Sequence, residues 1–221
     1  MPSFHKTVLL IMAITLFAFG PQQKKKVIFF GDSITEAGVK PGGYITMIKE
    51  LPGAGSSYEF TGAGIGGNKV YDLYLRMEQD VLAAKPDIVV IYVGVNDVWH
   101  KQSFGTGTDA DKFEKFYQAI LGKLKSQNIK VVVCTPAVIG ERTDFSNQLD
   151  GDLNKYSNII RRMATEQNIP LVDLRKHFLD YNLKNNSGNQ ESGILTNDRV
   201  HLNEKGNRLV AEKMWEVIKN L

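Results

Sequence analysis

The chain has one cysteine, Cys134, among 221 residues, so no intramolecular disulfide can form and the fold must rest on its core. Cys134 follows Val131-Val132-Val133 and reads as a small buried hydrophobe, not a reactive thiol. A large excess of charge of one sign is also lacking, with 27 Lys and Arg against 24 Asp and Glu. The net charge of +3 is too small for a nucleic-acid surface, and no basic cluster with interleaved aromatics is present. Lys24-Lys25-Lys26 is the only basic run and reads as a solvated edge. No apolar run reaches the ~20 residues that span a bilayer. Repeats, low-complexity tracts and interdomain linkers are absent as well. What is there is ordinary for a globular protein, at 43% hydrophobic and 23% charged. A single domain with a sizeable core is expected over 21–221.

The longest uncharged apolar stretch, Val8 to Phe19, is preceded by His5 and Lys6 and followed by Gly20-Pro21. Its length suits a signal-peptide core of roughly 7–15 residues. Residues 1–20 are therefore expected to be an export leader, which places the mature protein in the periplasm or outside the cell, without stable membrane insertion. Pro21 suits cleavage after Gly20 poorly, so an uncleaved anchor is the alternative. No cysteine follows the leader, so a lipid would have no acceptor there.

Beyond the leader, strand-like and helix-like segments alternate. Strands are expected at 26–30, 58–61, 87–93, 130–135 and 170–174, three of them near-continuous apolar runs. Such runs suit strands buried on both faces of a parallel sheet. Helical spacing of apolar residues is seen at 44–51, 70–84, 109–127, 149–167 and 203–220. Five βα units in series predict a doubly wound α/β fold. The longest irregular stretches are expected at 36–43, 100–108 and 181–200, with 182–192 polar and mobile.

The chemistry gathers where these strands end. Gly31-Asp32-Ser33-Ile34-Thr35 follows the run Val27-Ile28-Phe29-Phe30, so Ser33 sits at the carboxyl end of a strand, where open α/β sheets keep their ligands. That is a position for a nucleophile which still needs a base, an orienting acid and an oxyanion site. Asp198-Arg199-Val200-His201, on a turn before the last helix, gives an acid within reach of one imidazole nitrogen and leaves the other free. His5 lies in the leader, His100 has no acid at comparable spacing, and His177 reads as structural. Asn96, in Gly94-Val95-Asn96-Asp97 after the third strand, can donate its side-chain amide to a developing oxyanion. The glycines of Ala63-Gly64-Ile65-Gly66-Gly67-Asn68 let backbone N–H groups approach a ligand. Gly62, Gly64 and Gly67 also satisfy G-x-G-x-x-G, but Asp87, near the offset of the expected ribose-binding acid, begins a strand instead of ending one.

In this conjunction of blocks the chain resembles the SGNH-hydrolase (GDSL esterase/lipase) family, from about Lys26 to the C-terminus. The last block continues as Leu202-Asn203-Glu204-Lys205-Gly206. Asn68 departs from an aspartate common there, and Lys69 from a small hydroxyl residue. The resemblance implies a flavodoxin-like three-layer α/β/α sandwich on a parallel five-stranded sheet, and a serine ester hydrolase without metal or cofactor. It implies Ser33 as nucleophile, His201 as general base and acid, Asp198 as orienting acid, and an oxyanion hole from Ser33 N–H, Gly67 N–H and the Asn96 amide. Asp32 and Asp97 then brace loops.

The expected substrate is a small-molecule or glycan ester carrying short-chain acyl or O-acetyl groups, because no long apolar lid segment is evident. An acyl pocket can be drawn from Ile34, Val98, Trp99 and Val200. The alternatives are a lysophospholipase- or thioesterase-like lipid hydrolase, a non-catalytic carbohydrate-binding relative, an NAD-binding oxidoreductase and an acyltransferase.

Overall fold

A computed structural model describes residues 23–221. The leader expected over 1–20 lies outside the described residues. Five strands, β1 (Lys25–Gly31), β2 (Tyr58–Gly64), β3 (Ile88–Tyr92), β4 (Lys130–Cys134) and β5 (Leu171–Val172), form one sheet in the order β2-β1-β3-β4-β5. Every pairing is parallel. This is the flavodoxin-like order expected, and the direction of winding switches between β1 and β3.

Successive side chains of a strand face opposite layers, and here both layers are filled. Phe29 meets Tyr44 of helix α2 (Tyr44–Glu50) edge-on, with centroids 5.6 Å apart. Its neighbour Phe30 lies under the Arg76 guanidinium of α4 (Val70–Asp80) at 4.6 Å, on the other side of the sheet. On the first face α2 packs against α9 (Glu204–Ile218), and Trp215 of α9 stands edge-on to Tyr58 and Phe60 of β2. On the second face α4 packs against α6 (Ala110–Ser126), which packs against α7 (Asp150–Glu166). All five residues of β3 are buried, as its unbroken apolar run requires.

The differences from the sequence expectations are local. β5 keeps two residues of the five expected because Asp173 accepts the Lys176 N–H and starts helix α8 (Leu174–Asn185). α8 is hard to read from spacing because Leu179 and Leu183 are exposed, leaving no one-sided apolar stripe. The polar stretch 182–192 is anchored at two points: Asn182 and Asn186 are buried, and the Asn186 amide donates to Glu141 O and Gln190 O, each at 2.8 Å. Short helices α1 (Ser33–Gly38), α3 (Ala54–Ser57) and α5 (Val95–Ser103) follow strand ends or turns. α5 takes in residues expected to open the irregular stretch at His100. The connection 135–149, not among the expected irregular stretches, carries neither helix nor strand.

Candidate active site

The carboxyl end of β1 is built to turn sharply. A Cβ on Gly31 would stand 2.3 Å from Thr35 Oγ1 and 2.4 Å from Tyr92 O, so only glycine fits. Asp32 caps α1 by accepting the Ile34 N–H at 3.0 Å, which leaves Ser33 as the first helical residue. Burial pushes Asp32 up to about 6, with the Ile34 N–H and the charges of His201 and Arg76 pulling the other way. Gly64, at the end of β2, would clash with Glu36 N at 2.1 Å and Asp32 O at 2.7 Å if it bore a Cβ. Of the G-x-G-x-x-G glycines, Gly64 thus accommodates the backbone of α1, while Gly62 faces the Val39 and Ile45 side chains.

Ser33 Oγ lies 2.9 Å from His201 Nε2, and His201 Nδ1 lies 2.7 Å from Asp198 Oδ2. The same carboxylate accepts the His201 N–H at 2.7 Å and the Val200 N–H at 3.1 Å through Oδ1. Burial alone would raise Asp198, but the backbone and side-chain donors of His201, with the Val200 N–H, hold it below its ordinary value. It stays ionised and fixes the Nδ1 proton, so Nε2 is left to accept from the serine hydroxyl.

The loop bearing Asp198 and His201 is closed on itself. Asn197 N–H donates to His201 O at 2.8 Å, Thr196 pairs antiparallel with Leu202, and Arg199 takes a φ of +83° at the tip. That left-handed residue is strained in a non-glycine, and the surrounding bonds hold it there.

Glu141, in the 135–149 connection, is the functional-site residue the sequence reading missed. Its carboxylate is 1% exposed and accepts the N–H groups of Ile194, Leu195 and Thr196 at 2.8, 2.6 and 2.8 Å. Those residues lead directly into the Asp198–His201 turn. Gly140 N–H adds a bond to Arg199 O at 2.8 Å. No local pattern marks Glu141, because its partners lie more than fifty residues away. Glu141→Ala would leave three donors without an acceptor, and a loss of roughly 3 kcal/mol is expected in urea titration. Glu141→Gln should recover more than half of it, since its carbonyl can still accept from Leu195 and Thr196. A loss under about 1 kcal/mol for the alanine variant would remove Glu141 from this role.

The glycine loop and α5 complete the edge. Gly67 holds a φ of +75°, and a Cβ placed on it would lie 3.8 Å from His100 Cε1. Lys69 Nζ donates to Gly67 O at 3.2 Å and stands over the Tyr71 ring at 5.3 Å. Arg76 ties the strand ends to this loop, donating to Gly31 O, Ala63 O and Asn68 Oδ1 at 2.8, 3.0 and 2.7 Å. The Asn96 amide donates to Asn68 O at 3.1 Å. Asp97 is pushed up to about 7 by burial, and the Thr108 hydroxyl and Val70 N–H oppose that. Its carboxyl accepts the Val70 N–H at 3.2 Å and so braces the start of α4 against α5. His100 stacks edge-on to Phe104 at 5.0 Å, and His177 lies on α8.

A cleft of about 280 Å³ opens beside the turn, walled by Trp99, Asn147, Arg142, Glu191 and Arg199. Of the four residues expected to form an acyl pocket, Trp99 lines it. Ile34, Val98 and Val200 do not: they are buried in the apolar core, packed from the faces of α1, α5 and the turn that point inward.

Residues 29–209 match the GDSL-like lipase/acylhydrolase family. The crystal structure of an acetyl xylan esterase superposes with a TM-score of 0.84 at 68% identity, covering 86% of this chain and 98% of that one. An acetylxylan esterase of Geobacillus stearothermophilus is 29% identical over 206 residues, 85% of this chain and 90% of its own. Crystal structures of catalytic mutants of an acetylxylan esterase from that organism, one at a histidine and one at an aspartate, match at 25% identity and a TM-score of 0.76. They cover 89% and 88% of this chain and 96% and 95% of their own. The chain is a carboxylic-ester hydrolase and belongs to the GDSL-like lipase/acylhydrolase family.

Proposed function

We propose that this hydrolase removes acetyl groups from carbohydrate through an acyl-enzyme on Ser33. The observation that carries the mechanism is the chain Ser33–His201–Asp198, with contacts of 2.9 and 2.7 Å at the edge where β1 and β3 part. Ser33 Oγ attacks the ester carbonyl while His201 Nε2 takes its proton, and Asp198 stabilises the imidazolium that results. The same histidine then protonates the leaving sugar hydroxyl. A water enters, gives a proton to His201 and attacks the acetyl-serine; acetate leaves as the proton returns to Ser33 Oγ.

Three donors are assigned to the oxyanion in this reading. The Ser33 N–H belongs to the first turn of α1, where helix geometry offers it no intrahelical partner. Gly67 N–H lies on the loop that the Lys69, Arg76 and Asn68 contacts hold in place. Asn96 uses one amide hydrogen on Asn68 O, and the other is left for substrate. Asn96→Ala should lower kcat on the order of 10²–10³-fold with KM little changed. A change under about fivefold would make Asn96 a turn residue only.

For the substrate, support comes from the polar cleft with the Trp99 indole in its wall and from relatives named for acetylated xylan. The Geobacillus mutants described as catalytic replace an aspartate and a histidine spaced as Asp198 and His201 are. The test is a series of p-nitrophenyl esters of increasing chain length beside acetylated xylooligosaccharides. Acetyl is expected to be the best acyl group, with acetate released from the oligosaccharide; a preference for octanoyl or longer esters would overturn the substrate assignment.

Export belongs to the same proposal and rests on the apolar segment Val8 to Phe19. Among the described residues no helix is long and apolar enough to cross a membrane. Intact mass of the exported protein is expected to show the leader removed.

A further inference from the structure

The cleft beside the catalytic turn holds more positive charge than its acid can use. Glu191 is the one carboxylate lining it among the described residues, against two guanidinium groups. Arg199 takes the better place, with Nε 2.9 Å from Glu191 Oε1. Arg142 reaches only to 3.9 Å from Glu191 Oε2, at the limit of an ion pair. Asp144, two residues on, is engaged by the Ser146 N–H and hydroxyl at 3.0 and 2.6 Å and does not line the cleft. One positive charge in the cleft is therefore left without a matched partner.

The backbone around Arg142 is fixed on both sides. Gly140 N–H donates to Arg199 O at 2.8 Å, Glu141 N–H to Glu191 O at 2.9 Å, and Thr143 N–H to Asn189 Oδ1 at 2.8 Å. With the backbone fixed, only the Arg142 side chain is left to be ordered when an anion docks. Its planar fork matches the two oxygens of a carboxylate. Trp99 supplies an apolar wall in the same cleft, suited to a sugar face. Arg199, between Asp198 and His201 in the chain, lines this cleft, so the cleft and the catalytic pair are carried by one turn.

We propose that this cleft recognises the carboxylate of a uronic-acid residue on the acetylated glycan, with Arg142 as its anchor. The inference rests on the carbohydrate-ester reading and narrows it to acidic glycans. In chemical terms, an acidic branch near the acetylated sugar raises affinity without touching the reacting atoms. Arg142 acts on substrate choice, and the acyl-transfer steps are unchanged.

The test compares kcat/KM for two acetylated xylooligosaccharides, one with and one without a glucuronic-acid branch, with p-nitrophenyl acetate as a reporter of a competent enzyme. The wild-type acidic-to-neutral ratio is expected to be about tenfold or more at low salt and to shrink as salt rises. Arg142→Gln should bring the ratio near one, and Arg142→Lys should lie between, because a point charge replaces the fork. A wild-type ratio within about twofold of one, or one that Arg142→Gln leaves unchanged, overturns the subsite while the esterase reading stands. Turnover of p-nitrophenyl acetate with neither oligosaccharide cleaved would overturn the carbohydrate reading and the subsite together.

Discussion

Ser33→Ala is expected to lower kcat/KM for p-nitrophenyl acetate on the order of 10⁵-fold or more, while the melting temperature stays within a degree or two. The size follows from removing the attacking atom: the acyl-enzyme cannot form, and only the oxyanion donors and binding remain to favour direct attack by water. The silence on stability follows from the local structure. The side-chain hydrogen bond of Ser33 is to His201, and it is only part-buried. The cap on α1 comes from Asp32, which the substitution leaves in place, and alanine is a better helix former than serine. Activity and folding are thus separable at this position. Residual turnover above about one per cent, in protein free of wild-type contamination, would take the nucleophile role away from Ser33.

Asp198→Asn should cost on the order of 10³–10⁴-fold in kcat/KM. The asparagine carbonyl can still accept the backbone N–H groups of His201 and Val200, so the turn should keep its shape. What changes is the atom facing His201 Nδ1, which becomes a donor where a carboxylate oxygen stood. The imidazole then places its proton on Nε2, and the Ser33 hydroxyl loses its acceptor. The Asp198 side chain is 54% exposed, so water can share its duties, which is why the lower end of the range is included. Imidazole proton resonances should report the change of tautomer directly. A loss under tenfold with an unchanged tautomer would leave Asp198 as a brace for the turn.

The two effects depend on features that were unequally visible in the sequence. Val27 to Phe30 announces a strand because both faces of the sheet are covered and every side chain must be apolar. Gly31-Asp32-Ser33 announces the turn because no side chain fits at Gly31 and an acid caps the helix that follows. Asp198 and His201 are close in sequence, so their pairing is local. The long helices α4, α6, α7 and α9 are also legible, since each buries one stripe.

Other parts depend on distant partners and leave no local trace. α8 carries exposed leucines at Leu179 and Leu183 and so lacks a clean stripe. The 182–192 stretch looks solvated until Asn182 and Asn186 are seen to be buried. Glu141 acts on Ile194 to Thr196 across the fold, and nothing near it in sequence signals that role. Arg142 and Glu191 likewise meet only through the pairing of two loops. The expected acyl pocket went astray for a related reason. Ile34, Val98 and Val200 neighbour site residues in sequence, but on short helices and a tight turn their side chains point into the core.

In the proposed mechanism Ser33, made nucleophilic by His201, carries the acyl group. This role is tested most directly by treating the protein with a fluorophosphonate and reading the intact mass and the modified peptide. One phosphonyl group per chain is expected, attached to Ser33, appearing in step with loss of esterase activity and absent from the Ser33→Ala protein. Full esterase activity after prolonged treatment, or an adduct at another residue accompanying inactivation, would contradict it.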